Sequence, residues 1–184
     1  MGYRPEMLTP GMVILCLPAN HSPIWDRMLD WAISWSSGPF THAALVAYGE
    51  LIEQVATVRR SPLNKYADIG WAYQIEGLTP DRAAAMIDWA RNRLGQPYGV
   101  KAIVEDGLLL DAHIWSLLRE HPRYVTCSGF VERAARCGAG LPLTHMPLPT
   151  PTELAFSCRL VGARPWNRGQ SANQARPQHS VPKE

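Results

Sequence analysis

The chain has 184 residues, 46% of them hydrophobic and 18% charged, where an average soluble domain carries about 25% charged residues; one compact domain that needs no disulfide or metal staple is expected. Eighteen basic residues against sixteen acidic ones leave a net charge of +2, too little for a nucleic-acid-binding surface. Four cysteines (Cys16, Cys127, Cys137 and Cys158) with no C-x-x-C pair exclude a disulfide framework and zinc-knuckle spacing.

Residues 11–17 form a short apolar run between Pro10-Gly11 and Pro18, which predicts a buried strand. The run is far shorter than the roughly 20 residues that cross a bilayer, and it lacks the basic region and cleavage site of a signal peptide. Leu15 in front of Cys16 also breaks the lipoprotein pattern, which needs a small residue there. No transmembrane segment is expected, and the chain is expected to be cytoplasmic, phage-associated or exported by a route without a signal peptide.

In residues 23–35, Ile24, Met28, Trp31 and Trp35 recur at helical spacing behind Ser22 and Pro23, so an amphipathic helix should run up to Ser37-Gly38-Pro39. Residues 41–48 and 51–58 are rich in β-formers and flank a turn at Tyr48-Gly49, which predicts a hairpin. That turn pairs Ala44 with Glu53 and His42 with Val55. Residues 81–94 predict a helix with Ala83, Ile87, Ala90 and Leu94 on one face, Pro80 at its start and Gly95 past its end.

A second apolar helix is expected over residues 104–118 and a third over 127–137. In the third, Phe130, Val131, Ala134 and Ala135 point inward, and Glu132, Arg133 and Arg136 outward. Residues 156–161 look like a last strand. Residues 163–184 hold three prolines among Gln, Asn, Ser and Arg with little to bury, so the domain spans 1–162 and a disordered tail follows.

Cys127 carries the chemical signal, because a cysteine in the first turn of a helix meets unsatisfied N–H groups and the positive dipole end, both of which favour thiolate. Cys16, Cys137 and Cys158 read as buried inert thiols. A thiolate nucleophile works with a general base, usually a histidine held in place by a third group. Six histidines are available. His179 falls in the tail, His145 and His21 in loops, and His113 and His121 in or beside a helix, whereas His42 opens an otherwise apolar strand. Period-two alternation puts Glu53 on the face of His42, one diagonal step of about 7–8 Å away, and Gln54 on the other face. Glu53 reads equally as a solvated strand charge and as the orienting group.

Leu94-Gly95-Gln96-Pro97-Tyr98-Gly99, Cys127-Ser128-Gly129-Phe130-Val131 and Gly140-Leu141-Pro142-Leu143 resemble the core signature of the NlpC-type papain-like peptidases. Pro10-Gly11-Met12-Val13-Ile14, His42-Ala43-Ala44-Leu45 and Glu53 resemble its remaining parts, but here they precede the cysteine, the order of the circularly permuted branch that includes lecithin retinol acyltransferase-like enzymes. The resemblance covers residues 9–160. It implies a permuted papain-like α+β fold, an antiparallel sheet packed against helices with the nucleophile at a helix N-terminus. It also implies Cys127 as nucleophile, His42 as base, Glu53 as orienting group and Tyr98 as a substrate-side or oxyanion-side hydroxyl.

Three positions depart from the family pattern. Thr126 and Met12 stand where the family has aspartates, and the Gly49-Glu50 turn is one residue shorter. The interval between Tyr98 and Cys127 is also longer than usual, and the predicted helix over residues 104–118 fills it. With Leu109 and Trp115 it is expected to wall the cleft and contact substrate.

The resemblance implies a cysteine hydrolase of amide bonds, foremost in peptidoglycan peptides, that uses no metal or organic cofactor. Two alternatives are a lipid-directed thioesterase or acyltransferase of the same branch, and a non-catalytic binding module on the same fold.

Overall fold

The computed structural model describes residues 2–18, 38–55, 57–96, 126–146, 149–157 and 159–162. The helices expected over 23–35 and 104–118, the tail, Cys158, and the candidate contacts Tyr98, Leu109 and Trp115 lie outside the described residues.

Among the described residues six strands form one antiparallel sheet: β1 (Val13–Cys16), β2 (His42–Val46), β3 (Glu50–Gln54), β4 (Val58–Pro62), β5 (Gly70–Ile75) and β6 (Leu160–Gly162). Their spatial order is β4-β3-β2-β1-β5-β6, and every recorded pairing is antiparallel. Among the described residues three α-helices accompany the sheet: α1 (Pro80–Arg91), α2 (Cys127–Arg133) and α3 (Pro151–Ala155). The architecture is α+β.

Both faces of the central strands are buried, which is why β1 and β2 read as continuous apolar runs instead of alternating ones. On one face Val13, Leu15, Ala43, Leu45 and Ile52 pack against Met86, Ile87 and Ala90 of α1 and Phe130 and Val131 of α2. On the other, Ile14, Cys16, Ala44, Val46 and Leu51 pack under Tyr3, Leu8, Leu63, Tyr66 and Ile69, from the N-terminal segment and the β4–β5 connection.

The β2–β3 hairpin has the expected register, with Ala44 opposite Glu53 and Val46 opposite Leu51. Ala47 N–H donates to the carbonyl of Glu50 at 2.8 Å across the two-residue turn. Gly49 adopts φ 77° there, a conformation that a residue with a Cβ rarely takes. The strand expected over residues 51–58 is in fact two. It breaks after Gln54, and Val58 begins β4, which folds back so that Gln54 faces Val58.

Helix α1 starts one residue earlier than expected and ends at Arg91, with Thr79 as N-cap and Pro80 in its first turn. Leu94 lies past its end. The helix expected over 127–137 keeps α-geometry only to Arg133, and a π-helical turn covers Ala134–Gly138. Phe156, expected in the last strand, instead ends α3 and is 82% exposed. Among the described residues no helix is long and apolar enough to cross a membrane.

Candidate active site

Helix α2 begins at Cys127, with Thr126 as its N-cap. The Thr126 hydroxyl accepts from Gly129 N–H at 3.0 Å and its carbonyl from Phe130 N–H at 2.8 Å. Threonine thus performs the capping that an aspartate would, without adding negative charge beside the thiol. The N–H groups of Cys127 and Ser128 precede the first intrahelical acceptors and point out of the helix end.

Cys127 is 6% exposed. Burial on its own would push the thiol up. The charge and hydrogen bond of His42, joined by backbone hydrogen bonds from Ala43 and Ser128, outweigh that penalty and hold the thiol below its ordinary value. The recorded β2–β3 register ends at Ala44 opposite Glu53, so the sulfur sits where the next β2 N–H facing that side, that of Ala43, emerges.

His42 opens β2 and is only 18% exposed. Its Nε2 lies 3.0 Å from Oε2 of Glu53, which leaves Nδ1 to face Cys127. Because an ionised carboxylate only accepts, Nε2 carries the proton in this pair. Burial would lower the imidazole pKa. The charge and hydrogen bond of Cys127, followed by those of Glu53, raise it instead to about 9. Both shifts favour the thiolate–imidazolium form of the pair.

Glu53 is fully buried. Its Oε1 accepts from Arg59 Nε at 3.0 Å, from Ser61 Oγ at 2.6 Å and from Lys65 Nζ. Its Oε2 accepts from His42 and from the Tyr66 hydroxyl. Burial would raise this carboxyl, but the hydrogen bond and charge of His42, with the donors Lys65 and Ser61, hold it far below the usual carboxylate range. Gln54, also buried, follows Ile52 onto the helix-covered face by strand alternation.

The structure therefore brings Cys127, His42 and Glu53 into one row. Sequence reasoning missed the four residues around Glu53. Arg59 and Ser61 lie on β4, where Arg59 is directly opposite Glu53, and the unrecognised break after Gln54 helped to hide them. Lys65 and Tyr66 come from an irregular connection that carries no periodic signal.

Two further expectations need correction. Glu132, placed outward, is fully buried. It accepts from Leu143 N–H at 2.9 Å, Thr144 N–H at 3.2 Å and Arg136 Nη2 at 2.5 Å, tying the Gly140–Thr144 loop to the helix that carries Cys127. Burial raises its carboxyl pKa. Cys137, expected as a buried thiol, is exposed, whereas Cys16 is buried as expected. His145 is exposed and takes no part in the row.

In fold the chain is similar to the crystal structure of metalloprotein YiiX from Escherichia coli O157:H7, a DUF1105 protein. The likeness has a TM-score of 0.62 over 84% of this chain and 95% of that one, at 13% sequence identity. At that identity it establishes a shared fold and nothing about chemistry. No protein-family model matches the chain, and no curated protein matches it in sequence.

Proposed function

We propose that the protein is a thiol hydrolase of the circularly permuted NlpC-type papain-like kind, cleaving an amide bond in peptidoglycan peptides through an acyl-enzyme on Cys127. The observation that carries this reading is the continuous row from Cys127 at a helix N-terminus through His42 to the buried carboxylate of Glu53. A non-catalytic binding module has no need to bury a carboxylate against a histidine that polarises a thiol.

In this mechanism the thiolate attacks the amide carbonyl carbon, and the outward N–H of Cys127 stabilises the oxyanion. The tetrahedral intermediate then collapses. The C–N bond breaks as Nδ1–H of His42 protonates the departing amine, leaving a thioester. Neutral His42 takes a proton from water, whose oxygen attacks the thioester carbonyl, and the acid leaves as the thiolate returns. Glu53 holds the Nε2–H throughout, which keeps Nδ1 aimed at the sulfur.

The fold neighbour is described as a metalloprotein. Among the described residues of this chain no three His, Cys, Asp or Glu side chains come together to hold a metal ion. In the row itself both Glu53 oxygens are taken by protein donors, and Cys127 and His42 bind each other. That donor set does not suit a metal, and no step is routed through one.

The test is incubation with purified peptidoglycan fragments and, in parallel, with acylated lipids, reading product masses. Gain of one water with release of an amine from the peptide fragments alone supports the amidase. Loss of acyl chains from the lipids alone would replace it with a thioesterase. No product in either set would favour the binding module.

A further inference from the structure

Glu53 receives five side-chain donors, from His42, Arg59, Ser61, Lys65 and Tyr66, while a carboxylate offers about four lone-pair sites. The excess falls on Oε1, with three donors, while His42 and Tyr66 share Oε2 and its electron density. Tyr66 differs from the rest because it touches two members of the row. Its hydroxyl donates to Oε2, the same oxygen that His42 uses, and its ring lies 5.4 Å from the His42 ring, inclined at 53°. Lys65 Nζ sits 4.8 Å from the centre of the Tyr66 ring.

We propose that Tyr66 is a positioning residue of the row: its ring fixes the plane of the imidazole, and its hydroxyl limits how tightly Glu53 binds the imidazolium. This rests on reading Cys127 and His42 as a reactive pair. During turnover the sulfur bonds carbon and its contact with the imidazole opens, so a ring held at Nε2 can swing about that bond, and the Tyr66 ring against one side limits that freedom. A hydroxyl sharing Oε2 draws on the same electron density as Nε2–H. The imidazolium is then less firmly held and gives up its Nδ1 proton more readily to a leaving amine.

Among the described residues the titratable and charged groups around His42 are Cys127 from α2, Glu53 from β3, Cys16 directly opposite on β1, and Tyr66. Arg59 and Lys65 act on it through Glu53, to which Tyr3 is also electrostatically coupled. Burial and the charge of Glu53 keep Tyr66 protonated, and so a donor, across the working pH range.

The experiment is the rate of Cys127 alkylation by iodoacetamide as a function of pH, on the full chain, for wild type, Tyr66→Phe and Tyr66→Leu, with a melting temperature for each. Wild type should show two inflections, the lower from Cys127 and the upper from His42. Tyr66→Phe keeps the wall and leaves Oε2 to His42, so the upper inflection should rise and the lower fall, each by roughly half a pH unit. Tyr66→Leu loses the wall, and the two inflections should draw together. Superimposable profiles for all three proteins, whatever their melting temperatures, overturn the proposal, and so does a fall of the upper inflection in Tyr66→Phe. A wild-type profile with a single inflection at the ordinary thiol value of about 8.5 would instead remove the reactive pair, and the inference with it.

Discussion

Nε2 of His42 lies 3.0 Å from Oε2 of Glu53, across the diagonal of a hairpin whose two-residue turn sets the register. Ala44 occupies the position opposite Glu53. It leaves room beside the carboxylate that a larger side chain would fill, so the histidine two residues earlier can lean over and meet it. The short turn thus decides which acidic side chain reaches the histidine, and the histidine in turn holds a thiol at the start of a helix.

Cys127 should be the first cysteine modified at neutral pH even though Cys137 is the exposed one among the described cysteines. Exposure governs access, but the thiolate is the species that reacts. Peptide mapping after brief treatment with iodoacetamide should place most of the label on Cys127, with Cys16 unmodified. Equal labelling of Cys127 and Cys137 would mean that His42 leaves the thiol protonated. Cys127→Ala should lose all turnover and keep its melting transition.

Glu53→Gln should lower turnover by about 10²-fold or more, because an amide no longer balances the imidazolium and can present its NH₂ to Nε2. Glu53→Ala should also cost on the order of 3 kcal/mol in stability, since it strands a buried set of donors. Gln54→Ala should leave turnover within about fivefold, its side chain being on the other face. Kinetics and denaturant melts on the three variants check the assignment, and greater kinetic damage from Gln54→Ala would put the strand register in error.

The hairpin and its diagonal were legible in the sequence because the register depends only on a turn of two residues and a period of two. The start of α2 was legible from the helical spacing of Phe130, Val131, Ala134 and Ala135, but Thr126 was not recognised as its cap. The cage around Glu53 was not, since β4 is a polar edge strand whose Arg59-Arg60 pair breaks the hydrophobic signal. Glu132 was misplaced for a different reason. Six of the seven residues of α2 are buried, so the helix has no solvent face for a charged side chain to mark. A buried glutamate there is found only from its partners Leu143 and Thr144.

The pH dependence follows from proton counting. With His42 raised from 6.5 to about 9 and Cys127 lowered from 9.0, the folded pair holds one proton, on His42, wherever the thiol is ionised between 6.5 and about 9. The unfolded chain also holds one, on the thiol, so this pair makes stability flat with pH in that window. Taken singly, the His42 contribution is complete below 6.5 and lost as pH rises through about 9. The Cys127 contribution is complete above 9.0 and lost as pH falls through its depressed value. The lowered Glu53 carboxyl contributes stability present above 4.5 and lost as pH falls below it. Melting temperature should hold steady up to about 9 over the range above 6.5 in which the thiol is ionised and drop below 4.5, while turnover should fall above about 9 as the imidazolium is lost. A turnover rate still climbing beyond that point would show that His42 is not the proton donor.

Glu132→Ala should destabilise the fold by about 3 kcal/mol, since it leaves the Leu143 and Thr144 N–H groups without their acceptor. The loop they belong to follows the helix bearing Cys127, so protease nicking within residues 140–144 should rise as well. Chemical denaturation and limited proteolysis measure the two effects. An unchanged unfolding midpoint would mean that the loop is held by its apolar contacts alone.

The most direct test of the row is the ultraviolet absorbance of the thiolate across pH, taken as the difference between wild type and Cys127→Ala, and repeated on a His42→Ala background. The thiolate signal should persist in wild type well below the ordinary thiol value of about 8.5, and in His42→Ala it should appear only near or above that value. A wild-type signal that titrates at or above about 8.5 and does not move when His42 is removed would contradict a thiolate–imidazolium pair at Cys127.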